Sequence, residues 1–202
     1  MTKGGLIRPI TLDDAQQVLR IYRPYVENTS ISFEYEVPSL DEWVARIEAI
    51  TSEYPWLVHE HQGKITGYAY GSKHRHRTAY AWSAESTIYM DEEHHRSGIG
   101  RILYETLLEV MKLQHYVNVY AAVTIPNVKS EAFHQALGFY EVGVFRKIGF
   151  KFGEWHDTRW FQHHLTKHIG PPLTLKTFEE IRHTMGFKSI LEKANTKLNQ
   201  RE

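Results

Sequence analysis

The chain of 202 residues contains no cysteine. That excludes disulfides, thiolate nucleophiles and cysteine-bound metals, and it fits a reducing, cytoplasmic setting. Net charge is also missing: Lys and Arg together number 24, as do Asp and Glu. A balanced chain lacks the electrostatic footprint of a nucleic-acid binder. No run approaches the ~20 consecutive apolar residues of a membrane helix, and the opening Met1-Thr2-Lys3-Gly4-Gly5 has no apolar signal region. There is no internal repeat or low-complexity tract. What the chain has is aromatic bulk, with 12 Tyr, 9 Phe and 5 Trp, and a hydrophobic fraction of 42%, enough to fill the core of one domain. Its 13 histidines occur in short clusters such as His59-Glu60-His61, His74/His76, His94-His95 and His163-His164. None has the spacing of a zinc motif, and neighbouring histidines on a strand face opposite ways, so no metal is expected and most of these side chains are assigned to the surface or a rim.

Periodicity and capping signals divide the chain. Leu6 to Ile10 is a short strand. Thr11-Leu12-Asp13-Asp14 opens a helix carrying Ala15, Val18, Leu19, Tyr22 and Val26. Ser39-Leu40-Asp41-Glu42 opens a second, with Trp43, Ile47 and Ile50 on one face. Strands are expected over Pro55 to Glu60 and Lys64 to Tyr70, joined at His61-Gln62-Gly63, and over the aromatic run Ala79 to Met90. A helix over Gly98 to Gln114, a strand over Val117 to Ile125, a helix over Asn127 to Leu137 and a strand pair over Phe139 to Gly149 and Trp155 to Leu165 complete the pattern. Mixed strands with interspersed helices imply an α/β or α+β sheet. Past Ile169-Gly170-Pro171-Pro172, Thr177 to Asn199 has helical spacing. This gives a domain over residues 1–168 and a C-terminal helical extension over 169–202, either packed on its own domain, the favoured alternative, or docking a partner.

The segment from Tyr89 to Arg101 runs strand, glycine loop, helix. Such a unit presents a helix N-terminus to an anion, with glycines letting the backbone approach and unpaired N–H groups pointing at it. The spacing is neither that of a dinucleotide fold nor that of a P-loop. By itself Gly98-Ile99-Gly100 fits an anion site or an ordinary turn equally well.

The loop His95-Arg96-Ser97-Gly98-Ile99-Gly100, together with Asn127-x-x-Ser130-x-x-x-His134-x-x-x-Gly138-Phe139, resembles the GNAT superfamily of N-acetyltransferases. Here His95 stands where Gln or Arg is usual, and His134 where Tyr is usual. Phe33-Glu34, Tyr54-Pro55-Trp56-Leu57-Val58, Ala79 to Tyr89, and Gly149-Phe150-Lys151-Phe152-Gly153-Glu154-Trp155-His156-Asp157 narrow the resemblance to the phosphinothricin and methionine sulfoximine acetyltransferase group, over about Ile7 to Leu165. The resemblance implies a mixed, mostly antiparallel seven-stranded sheet splayed near its middle and flanked by helices. It implies acetyl-CoA as cosubstrate, a small amino-acid-like amine as acceptor, and a homodimer.

It also implies roles. Glu85 is the expected general base, in a strand whose aromatic neighbours would raise its pKa. Ile88, Tyr89 and Met90 would pair with pantetheine, and the Met90 N–H would serve the oxyanion. Arg96, Ser97, Gly98, Ile99, Gly100 and Arg101 would hold the pyrophosphate, and Asn127 would reach pantetheine. Tyr104 or His134 would protonate the departing thiolate. Phe33, Arg75 and Arg77 would bind the acceptor, although Ser72-Lys73-His74 departs from the Pro-Trp-Arg/Lys pattern of the group. Two other functions stay open: a protein or peptide N-acetyltransferase, and a non-catalytic acyl-CoA sensor.

Overall fold

A computed structural model describes residues 5–95 and 97–200. The elements follow in the expected order. Strand β1 (Leu6–Pro9) leads to helices α1 (Ala15–Asn28) and α2 (Leu40–Thr51). Strands β2 (Trp56–His61), β3 (Lys64–Lys73) and β4 (Ser83–Met90) come next, then α3 (Ile99–Leu113), β5 (Asn118–Ile125) and α4 (Val128–Ala136). Strands β6 (Tyr140–Lys151) and β7 (Glu154–His164) close the sheet, and α5 (Phe178–Ile181) and α6 (Met185–Asn199) form the tail. The seven strands lie in the order β1-β2-β3-β4-β5-β7-β6. Every neighbouring pair is antiparallel except β4 and β5, which run parallel.

That parallel pair is short. It registers Ser83 with Asn118, Ala84 with Val119 and Glu85 with Tyr120, and then stops. Beyond Glu85, β4 stays on β3 as far as Met90, while β5 stays on β7 as far as Ile125. The sheet therefore opens into two halves at its centre, and strand polar groups on both sides of the gap have no ladder to join.

Each face of the sheet has its own core. On one, Val18, Ile21, Tyr22 and Val26 of α1 and Trp43 and Ile47 of α2 pack against Trp56, Val58 and Tyr68. On the other, Leu103, Leu107, Val110 and Met111 of α3 pack against Leu57, Ala69, Ala84, Val119 and Phe161. The helix starts come from local chemistry legible in the chain. Ser39 Oγ accepts the Glu42 N–H at 3.3 Å while Glu42 returns a carboxylate to the Ser39 N–H at 2.8 Å, satisfying two orphan donors.

Two expectations need correction. The strand expected from Ala79 begins only at Ser83, because Thr78–Tyr80 forms a 3-10 turn closed by Tyr80 N–H to Arg77 O (2.9 Å) and Ala81 N–H to Thr78 O (2.9 Å). The aromatics there pack outward: the Trp82 indole donates to Leu173 O of the tail at 2.7 Å. The tail is likewise two helices, not one. Thr177 and Thr184 each cap a helix, so the chain breaks between them, and Met185 lies 77% exposed. The tail closes onto the α3 face. Phe178, Ile181, Phe187, Ala194 and Leu198 are buried in the same cluster as Leu103 and Leu107. Asn195 brackets β1, accepting the Ile7 N–H at 2.7 Å and donating to Ile7 O at 3.1 Å. The extension thus packs on its own domain. No helix among the described residues is long and apolar enough to cross a membrane.

Candidate active site

Several of the expected site residues flank the gap, on two faces. Alternation along β4 turns Ala84, Ser86, Ile88 and Met90 toward α3, and Glu85, Thr87 and Tyr89 toward α1 and α2. Glu85, the last residue of β4 to pair with β5, sits where the strands part. Its carboxylate is partly buried, with 30% side-chain exposure, and accepts from His74 Nδ1 at 2.9 Å. Burial raises its pKa above the ordinary glutamate value, while the hydrogen bond from His74 and the charge of Arg75 pull the other way.

The backbone of β4 faces the gap in a way that follows from ladder geometry. The Asp91 N–H donates to Thr66 O at 2.9 Å, making those two residues a hydrogen-bonded pair. One step back, Gly67 and Met90 form the alternate kind of pair, whose N–H and C=O point away from each other. Ile88 shares that orientation. The outward Met90 carbonyl is met by the Tyr25 hydroxyl at 2.5 Å, and His95 Nε2 lies 3.3 Å from it. His95 is therefore part of the loop's internal bonding. The Met90 N–H and both polar groups of Ile88 are directed at the gap. Tyr89 points its ring the other way, edge-on to Tyr22 and Tyr25.

The glycine loop delivers the start of α3 beside Met90. Gly98, the N-cap, has φ +75°, a left-handed conformation natural to glycine. Ser97 Oγ donates to His94 O at 2.7 Å, and the Ile99 N–H reaches Ser97 Oγ at 3.3 Å. The N–H groups of the first turn, those of Gly100 and Arg101 among them, have no acceptor within the helix and lie at its positive end. The Arg101 side chain turns along the helix to Glu105 (2.8 Å) and to Ala136 O (3.4 Å), so its backbone is better placed for an anion than its guanidinium. Arg96 lies outside the described residues. At the far side of the gap, Asn127 caps α4, its Oδ1 accepting the Ser130 N–H at 3.1 Å, so that its amide NH2 is the part left for a ligand.

On the α3 side, Tyr104 is fully buried and its hydroxyl lies 2.6 Å from Ser86 Oγ and 3.2 Å from His134 Nε2. His134 Nδ1 is 2.8 Å from the Ser130 carbonyl, which can only accept. Nδ1 therefore carries the proton, and Nε2 accepts from Tyr104. Burial lowers the His134 pKa and raises that of Tyr104. At neutral pH His134 is an uncharged acceptor, and Tyr104 holds its proton.

Of the expected acceptor-side residues, Arg75 lies within electrostatic reach of Glu85. Arg75 and Arg77 are exposed on the β3–β4 connection, with the Arg75 guanidinium 5.5 Å above the Tyr80 ring. Phe33 packs against Gly149 of β6 so closely that a Cβ there would collide with its ring. Its loop is pinned by Lys151, a buried ammonium that donates to Val26 O (2.7 Å), Thr29 O (2.9 Å) and Ser32 O (2.7 Å).

Three participants escaped the sequence pattern: His74, Ser86 and Lys151. Of these, only Ser86 carried a signal, since it alternates with Glu85 on the same strand. Among the clustered histidines, His59 is fully buried with Nδ1 2.6 Å from Thr66 Oγ1, and His74 bonds Glu85. Among the described residues, no three His, Cys, Asp or Glu side chains converge as a metal ion requires.

Known proteins share this frame. The profile of the Acetyltransferase (GNAT) domain matches residues 7–160. The phosphinothricin N-acetyltransferase of Streptomyces viridochromogenes is 38% identical over 156 residues, covering 77% of this chain and 85% of that one. The L-methionine sulfoximine/L-methionine sulfone acetyltransferase of Salmonella typhimurium is 30% identical, covering 78% and 93%. A crystal structure of a phosphinothricin acetyltransferase from Sinorhizobium meliloti in complex with acetyl-CoA superimposes with a TM-score of 0.79 at 32% identity, covering 88% of this chain and 99% of that one. With its split sheet, glycine loop and helix start, the chain belongs to the GNAT family and is an acetyl-CoA-dependent N-acetyltransferase.

Proposed function

We propose that the protein acetylates the primary amine of a small amino-acid-like substrate of the phosphinothricin, methionine sulfoximine or methionine sulfone kind, with Glu85 as general base. The observation that carries this is the position of the Glu85 carboxylate, at the mouth of the gap and with a pKa raised by burial. A carboxylate whose pKa is moved up toward the operating pH is a better base for an ammonium. The names of the relatives support the substrate class.

Acetyl-CoA supplies an acyl group already activated as a thioester. Ile88 and Met90 would hold pantetheine as an added strand in the gap, with the Asn127 amide across from them. The first-turn N–H groups of α3, from the loop Ser97-Gly98-Ile99-Gly100 into Arg101, suit a pyrophosphate. The Met90 N–H is the donor for the carbonyl oxygen as it gains charge during attack. The acceptor would enter from the α1/α2 face, its carboxylate met by Arg75 and Arg77 and its apolar part by Phe33. The departing thiolate would take a proton on the opposite face. Tyr104 is the donor assigned there, since its hydroxyl carries a proton while the one proton of neutral His134 sits on Nδ1 and is engaged by the Ser130 carbonyl.

A homodimer fits the outer edge of the sheet. Among the described residues strand β6 has no strand neighbour on one side, and its hairpin with β7 exposes Phe145, Ile148, Phe150, Phe152 and Trp155. A second copy related by twofold symmetry would cover it.

The test is release of CoA thiol from acetyl-CoA with a panel of amino acids, their sulfoximine, sulfone and phosphinate analogues, polyamines and peptides. Saturable activity on the analogues is expected. Activity confined to peptides or polyamines would overturn the substrate class. Tight acetyl-CoA binding without turnover on any amine would overturn the enzymatic role of Glu85.

A further inference from the structure

We propose that His74 is a positioning residue for Glu85: its Nδ1–H holds one carboxylate oxygen and leaves the other facing the acceptor amine. This rests on Glu85 being the base. Three observations fix the arrangement. His74 Nδ1 lies 2.9 Å from Glu85 Oε1, and the His74 side chain is more enclosed than the carboxylate, at 12% against 30% exposure. Its ring is clamped, stacked on Tyr120 of β5 (4.4 Å between centroids, 12° between planes) with Trp160 of β7 edge-on at 5.8 Å. Finally, the Arg75 Nε–H points at His74 Nε2 from 3.4 Å. With the Arg75 N–H directed at Nε2, Nε2 is the acceptor and Nδ1 carries the proton toward Glu85.

Tyr120 pairs directly with Glu85 across the last rung before the gap, so the imidazole lies where β4 and β5 part. The titratable groups facing it are Glu85 from β4, Arg75 and Tyr80 from the β3–β4 connection, and Tyr120 from β5. With Nε2 facing Arg75, the imidazole meets the carboxylate through its Nδ1–H. Donation to a carboxylate favours its ionised form, in opposition to desolvation.

The test is the pH profile of kcat/KM for the amine at saturating acetyl-CoA. His74→Phe preserves the ring stack and removes the donor. His74→Asn places an amide N–H near the position of Nδ1. The acid limb of His74→Phe is expected to move up by about one pH unit, the shift that corresponds to losing one charge-assisted hydrogen bond. That of His74→Asn should stay near wild type. An acid limb in His74→Phe that coincides with wild type would overturn the proposal, as would equal shifts in the two variants. Glu85→Gln separates this from the underlying assignment. If the limb survives in Glu85→Gln, Glu85 is not the base. If the limb vanishes there but does not move in His74→Phe, only the role of His74 fails.

Discussion

Lys151→Met tests whether the acceptor pocket is built by a buried charge. The ammonium is about 2% exposed and gives its three hydrogens to the carbonyls of Val26, Thr29 and Ser32 at 2.7 to 2.9 Å. Val26 lies in the last turn of α1, where a carbonyl has no N–H four residues on, and a cation there is favoured by the helix dipole. Methionine fills similar volume without the charge. Three carbonyls would lose their donor at about 1–3 kcal/mol each if water stays out. Removing the desolvated ammonium returns several kcal/mol, since burying an ion is itself costly. The balance is a loss of about 2–4 kcal/mol, readable as a lower urea midpoint at unchanged slope. The same carbonyls anchor the loop that carries Phe33, so KM for the amine should rise several-fold while KM for acetyl-CoA holds. A variant within about 0.5 kcal/mol of wild type and with unchanged amine KM would refute the reasoning.

Other outcomes follow from the same geometry. Tyr104→Phe strands the buried His134 Nε2 acceptor and should cost about 1–3 kcal/mol in a denaturant melt, with kcat falling more than acetyl-CoA binding if the hydroxyl protonates the thiolate. For pH, burial depresses the folded pKa of His134 below the ~6.5 of an unfolded histidine. Its contribution is therefore fully present above ~6.5 and is lost as pH falls below it toward the folded pKa, so urea midpoints should drop from pH 7.5 to 5 by less in His134→Gln than in wild type. Deleting residues 174–202 removes Phe178, Ile181, Phe187 and Leu198 from the core, and should leave a chain that unfolds at much lower denaturant; a truncated chain as stable as the whole would contradict the packing of the tail.

Much of the frame was legible because it is written locally. The Ser39–Glu42 capping box, the Asn127 cap and the α3 stripe of Leu103, Leu107 and Met111 depend on residues three or four apart, which one helix turn brings together. Glu85 and Met90 were placed by their strand and by the resemblance of its motif. The partners of the site were hidden because they meet only in three dimensions. His74 reaches Glu85 across a connection of eleven positions, and Lys151 reaches Val26 across 125. Periodicity carries no record of such contacts. The strand start at Ser83 was misjudged because aromatic richness over Ala79 to Trp82 serves a 3-10 turn and the docking of the tail, not a ladder. The break at Thr184 was missed because apolar spacing continued across a second capping residue.

The account turns on Glu85 removing the proton of the acceptor amine at the point where β4 and β5 part. Steady-state acetyl transfer by Glu85→Gln, beside a direct measurement of acetyl-CoA affinity, tests it most directly. The prediction is a fall in kcat of about 10²–10⁴ with acetyl-CoA affinity unchanged, since the carboxylate faces α1 and α2 and the groups proposed for the cosubstrate lie along the gap and the start of α3. An unchanged kcat with analogue amines would contradict the account.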